Sequence, residues 1–68
     1  MAGRYTEHVA TKGNREIWRW EIVDPAGVTQ RMWRGREYAD VDGVRRLTPE
    51  EPFFHGGELE ARQWLSLG

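Results

Sequence analysis

The chain holds few residues able to make or break bonds. It contains no cysteine, so it has neither a thiol nucleophile nor thiolate ligands for structural zinc. Its single serine, Ser66, stands near Gly68 and not in an elbow motif, and no glycine-rich phosphate loop is present. His8 and His55 lie far apart with no ligand spacing around them. Glu50, Glu51, Glu58 and Glu60 read as solvated or helix-capping charges, since a catalytic carboxylate pair needs a cleft and a chain this short has little room for one. The expectation is a non-enzymatic protein with no cofactor and no metal.

Arginine and tryptophan carry the chemistry that is left. Guanidinium forks suit phosphates and base edges, and a tryptophan can stack or fill a gap. Arg19, Arg31 and Trp33, with His8 and Arg15, are therefore the candidate binding residues. The same residues have a plain structural reading, in which Arg19 stacks on Trp33 as a cross-strand cation–π pair and Glu21 neutralises Arg31. They also suit a protein interface, where tryptophan and arginine are enriched at hot spots.

These side chains belong to one stretch, Ile17 to Arg34, in which two alternating runs flank Asp24-Pro25-Ala26-Gly27. Pro25 presets a type I turn, Asp24 bonds forward to the turn amides, and Gly27 takes the left-handed position of a one-residue bulge. With a three-residue loop, Val23 faces Thr29, Ile22 faces Gln30, Glu21 faces Arg31, Trp20 faces Met32, Arg19 faces Trp33 and Trp18 faces Arg34. A four-residue loop would place Trp20 beside Arg31. The first register is preferred because it matches unlike charges and sets Trp20 beside Met32. One face then reads Trp18, Trp20, Ile22 and Met32, the other Arg19, Glu21, Val23, Arg31 and Trp33. An antiparallel sheet commonly buries one face and wets the other, so the tryptophan-rich face is expected to be buried and the Arg19–Arg31–Trp33 face open.

Upstream, Tyr5 to Ala10 alternates, and Lys12 to Arg15 is a turn signal. A Gly13-Asn14 loop in unbroken register puts Val9 opposite Trp18 and Tyr5 opposite Ile22, both on the buried face, with His8 beside Arg19. Met1 to Arg4 reads as a frayed end. Downstream, residues 37–57 read as an irregular, acidic segment in which Asp40 to Gly43 could turn and a short helical turn or fourth strand could form; Thr48 to Pro52 suits a single capped turn, and Phe53 and Phe54 a clasp on the core. Residues 58–66 read as a helix, acidic in its first turn, with Leu59, Ala61, Trp64 and Leu65 as its apolar stripe. At about ten residues it must dock to persist. The predicted fold is α+β, a single domain over residues 1–68: a three-stranded antiparallel meander (about 4–36) with one C-terminal helix (about 58–66) packed on the Trp18, Trp20, Ile22, Met32 face.

Sixty-eight residues make a thin core that its aromatic side chains must supply, and a homodimer is the natural remedy should too many stand exposed. The formal net charge is −1, yet residues 1–36 carry seven Lys or Arg against four acids, and residues 37–68 carry three against seven. No stretch approaches a membrane span or a signal-peptide core, so a cytoplasmic protein is expected.

The spaced tryptophans of Gly13 to Trp20, the basic run Gly27 to Arg34, and Glu60-Ala61-Arg62-Gln63-Trp64-Leu65 together resemble the arm-type N-terminal domains of tyrosine recombinases and the plant AP2 domains, which are three-stranded sheets with one helix. The last segment is similar to the Glu-Ala-x-x-Trp-Leu helix ending of the arm-type family. That resemblance implies that the sheet face opposite the helix enters the DNA major groove, with Arg19, Arg31 and Trp33 as the reading residues. It departs from the family in the twenty or so residues between the third strand and the helix. Small tryptophan- and arginine-rich proteins of this length also look like accessory products of phages and mobile elements that bind one protein. DNA and a protein partner are thus both expected partner classes, with DNA binding through the open sheet face as the first reading.

Overall fold

The computed structural model describes residues 3–68. The chain is α+β, as the residue pattern predicts, but its antiparallel sheet has five strands where three were expected. These are β1 (Arg4–Lys12), β2 (Arg15–Val23), β3 (Thr29–Val41), β4 (Val44–Leu47) and β5 (Phe53–Phe54), followed by α1 (Glu58–Ser66). The strand order is β1-β2-β3-β4, and β5 also pairs with β3. Of the four residues expected to fray, Met1 and Ala2 lie outside the described residues, Gly3 lies against the Trp20 indole, and Arg4 opens β1.

The β2–β3 register is the one the turn chemistry predicts, pair for pair from Val23↔Thr29 to Trp18↔Arg34. Asp24 fixes it: its Oδ1 accepts from the amides of Ala26 (2.9 Å) and Val28 (3.0 Å), while its own amide donates to the Val28 carbonyl at 3.0 Å. Those bonds, the Val28 amide foremost, hold the exposed Asp24 carboxyl below its ordinary pKa. Counting on from Trp18↔Arg34, the next pair is Ile17↔Gly35.

At that pair the structure departs from the predicted packing. The core beneath the helix is Ile17, Phe54, Ala61 and Leu65, with Val9, Ala10, Trp33 and Trp64 packed against it; Trp20, 8% exposed, is buried on the other face, as the alternation predicts for that residue. The helix therefore lies on the face shared by Ile17, Arg19 and Trp33, opposite to the face assigned to it from the alternation. The reason is steric. Gly35 leaves a hole in that face, and a Cβ there would meet the Trp64 ring at 2.9 Å and the Phe54 ring at 3.0 Å. On the helix, Ala61 and Leu65 are buried and Trp64 half-buried, whereas Leu59, assigned to the stripe, is 71% exposed.

Two further corrections concern the flanking segments. β1 contains two register shifts, between Tyr5 and Glu7 and between His8 and Ala10, so Tyr5 faces Trp20 and His8 faces Trp18. The bulges put Tyr5 and His8 against the tryptophan face and leave Val9 to the core. Residues 37–57 are not irregular: 37–41 complete β3, and 44–54 form a broken edge strand along it. β4 pairs with Tyr38–Val41, the Thr48 amide donates to the Glu37 carbonyl (2.9 Å), the Gly35 amide donates to the Pro52 carbonyl (2.9 Å), and β5 pairs with Trp33 and Arg34. Pro49 to Glu51 bulge out of this edge instead of forming a capped helical turn. Of the two phenylalanines, Phe54 is buried in the core and Phe53 lies edge-on to Trp20 on the far face.

The close approach at Gly35 generates a direct test. Gly35→Ala is expected to lower unfolding stability by about 1–3 kcal/mol in urea melts, the usual cost of overpacking, while Val28→Ala in the exposed turn stays within about 0.5 kcal/mol. Equal effects would show that the helix does not seat on Gly35.

Candidate functional site

Among the five residues proposed from the sequence, the fold brings together Arg19, Arg31 and Trp33. They share one sheet face through the pairs Arg19↔Trp33 and Glu21↔Arg31. The Arg19 guanidinium stacks on the Trp33 ring at 4.6 Å, and Arg31 Nε sits 3.1 Å from Glu21 Oε2. This is the plain structural reading of those residues. Trp33 is half-buried at the core margin rather than open. What remains accessible is a depression of about 500 Å³ lined by Thr6, Glu7, Arg19, Glu21 and Arg31, in which the two acids balance the two arginines.

Arg15 and His8 lie elsewhere. Arg15 belongs to the helix seat: its Nε pairs with Glu37 Oε2 at 2.9 Å, its Nη1 donates to the Trp64 carbonyl at 2.7 Å, and its guanidinium stacks on the Trp64 ring at 4.4 Å. With the Lys12 ammonium donating to the Ser66 carbonyl, it supplies the positive charge that the last turn of α1 lacks. His8 is on the opposite face, 5.1 Å from the Trp18 ring centroid, and its Nε2 bonds the Thr11 hydroxyl at 2.6 Å.

That opposite face holds an array that sequence reasoning did not single out. Arg34 lies over Phe53 (4.1 Å), Trp20 (5.1 Å) and Tyr5 (5.7 Å), and Arg36 over Tyr5 (4.6 Å) and Trp18 (5.8 Å). Glu51, delivered by the bulge in the broken edge strand, closes it. Its carboxylate accepts from the Tyr5 hydroxyl and lies 3.5 Å from Arg36 Nε, within ion-pair range but without hydrogen-bond alignment, and its carbonyl accepts from Arg34 Nε at 3.2 Å. Burial, with the Glu51 bond next, pushes the Tyr5 phenol up to about 12. The signal for this array was the even-numbered parity of Arg34 and Arg36 with Trp18 and Trp20 in the β2–β3 register.

The second missed feature is the ribbon formed by residues 38–47. β3 runs four residues beyond its last partner in β2; past Tyr38, whose amide still donates to the Asn14 carbonyl at 2.8 Å, β4 is its ladder partner. Asp42 (φ 53°) and Gly43 (φ 78°) form the turn, the two successive left-handed residues that a two-residue hairpin with the twist of its strands requires. The helix packs on β1, β2, β3 and β5 but not on β4. Val41 and Val44 face each other and are 46% and 50% exposed, with Leu47 38% exposed. Arg45 stacks on Tyr38 at 4.1 Å. The signal here was the Asp42-Gly43 pair, the strongest short hairpin marker in the chain.

A cleft of about 410 Å³ lined by Arg15, Glu37, Glu50, Glu51, Pro52 and Trp64 lies between the helix and the broken strand, and its charged groups are largely engaged in the pairs above. Among the described residues no three histidines or carboxylates converge as a metal site, and no helix is long and apolar enough to cross a membrane. Comparison with family models, curated proteins and solved structures gives no match.

The Tyr5–Glu51 contact predicts a pH response with a definite sign. Because the folded phenol holds its proton more tightly than the unfolded one, its contribution to stability is complete below pH 10 and lost as pH rises toward about 12. In an absorbance titration of tyrosinate, one tyrosine should ionise near 12, and Glu51→Gln should bring it down; two tyrosines titrating together at the ordinary value would contradict the contact.

Proposed function

We propose that the chain is a non-enzymatic protein-binding module that engages its partner through the 38–47 ribbon. One observation carries the reading: the ribbon extends beyond the last β2–β3 pair, the helix does not pack on β4, and Val41 with Val44 on one face and Leu47 on the other stay exposed. A two-stranded hairpin is marginal by itself, and exposed apolar clusters on a small protein mark contact surfaces. The Asp-Gly turn and the Arg45–Tyr38 stack preorganise this one, which lowers the ordering cost of binding.

The DNA reading draws less support from the same geometry. Of the arginines expected to meet phosphate, Arg19 is stacked on Trp33, Arg31 is paired with Glu21, and Arg15 is paired with Glu37 and stacked on Trp64. A two-stranded ribbon does fit the major groove, but here its two arginines are matched by Asp40 and Asp42, so it lacks the excess of positive charge that releases counterions along a phosphate backbone.

A photo-crosslinker placed at Val44 in the native cell is expected to yield a discrete protein adduct. The same probe at Val28, exposed on the β2–β3 turn, should not, and Val41→Asp should remove the adduct without moving the unfolding midpoint. Salt-sensitive tryptophan quenching by random-sequence duplex DNA, with no Val44 adduct, would overturn the proposal in favour of the DNA reading.

A further inference from the structure

We infer that the partner binds by adding an extended, acidic segment as a strand on the outer edge of β4, an inference that rests on the protein-binding reading above. The edge is open. The Thr48 amide bonds the Glu37 carbonyl and the Val41↔Val44 pair closes the turn, so in this ladder the amides and carbonyls of Val44, Arg46 and Thr48 point toward β3. Those of Arg45 and Leu47 point away, and among the described residues no backbone hydrogen bond from outside the β3–β4 ladder reaches them. The other long edge of the sheet, β1, is interrupted by two bulges, a common device for refusing an incoming strand. β4 has neither bulge nor proline.

Charge selects the guest. Arg45 and Arg46 are neighbours in the strand, so their side chains project to opposite faces, and neither forms a salt bridge among the described residues. A second copy of β4 is a poor occupant: every antiparallel register that overlaps three or four residues of Val44–Leu47 sets arginine directly against arginine, and so does the in-register parallel pairing. Like charges in direct opposition are destabilising, while acids at those two positions form unlike pairs on both faces. The pattern that fits is apolar–acidic–acidic–apolar, with the apolar ends beside Val44 and Leu47. Main-chain bonds to Arg45 and Leu47 supply the register, as in other cases of strand addition.

The test uses the whole isotope-labelled chain and two acetylated, amidated peptides, Thr-Val-Glu-Glu-Val-Thr and Thr-Val-Lys-Lys-Val-Thr. Both are palindromic and so indifferent to strand direction. The acidic peptide is expected to move the amide resonances of Arg45 and Leu47 more than any others and to bind about tenfold tighter than the basic one. Arg46→Glu should bring the two peptides within about threefold of each other, with the near-ultraviolet dichroism of the tryptophans unchanged. Shifts centred elsewhere, equal responses to the two peptides, or no shift at about 10 mM peptide would overturn strand addition. A Val44 adduct obtained together with any of those results leaves the protein-binding reading standing and removes only this mode of it, whereas loss of the adduct with a selective response at Arg45 and Leu47 removes the ribbon face and keeps its edge.

Discussion

Everything in this small protein hangs on one cross-strand pair in which one member has no side chain. Ile17 is fully buried, and its neighbour across the ladder is Gly35. The missing Cβ lets the Trp64 indole and the Phe54 ring approach the sheet backbone, and with them come the helix and the last edge strand. Had position 35 carried a side chain, both rings would have to shift away from the sheet, and a nine-residue helix that loses its apolar seat does not persist in water. The arginine that holds the far end of that helix, Arg15, is Ile17's near neighbour on the same strand face, so the seat and its latch are set by one alternation.

The opposite face solves a different problem. It has no helix over it, yet it carries Tyr5, Trp18, Trp20 and Phe53. Arginine side chains take the place of a second layer: the aliphatic stems and flat guanidinium groups of Arg34 and Arg36 lie across the rings, and Glu51 offsets part of their charge. The basic character of the first half of the chain is thereby spent largely inside the fold. Charge counted along a sequence is a poor guide to charge presented to a partner when the cations sit in alternation with aromatic residues.

How far this was legible follows from which interactions are local. The β2–β3 register was readable because a turn of three residues determines it, and Asp24 bonds within that turn. The choice of buried face was not, because it depends on residues far away in sequence: Phe54, Ala61 and Leu65 meet Ile17 across a hole at Gly35 that alternation alone does not mark. The same register, counted one pair further, does place Ile17 opposite Gly35, and a large apolar residue facing glycine is the clue that was available. β1 misled for another reason, since two bulges shift its parity and no glycine or proline within it announces them. The candidate residues Arg19, Arg31 and Trp33 were rightly read as neighbours, and their mutual engagement follows from the cross-strand pairs. The ribbon went unweighted because its Asp-Gly turn stands in a run of residues with an indecisive spacing of three.

The order of the core residues along the chain bears on how the protein is made. Ile17 emerges early from the ribosome, but Phe54, Ala61 and Leu65, the buried residues that cluster with it, all lie in residues 53–66. Until that segment is made, the nascent chain can pair β1, β2 and β3 through short turns with no helix and no β5 to bury Ile17 against. Cooperative folding must wait until residues 53–66 have left the exit tunnel, with the hairpins as a waiting template and that segment as the step that commits them.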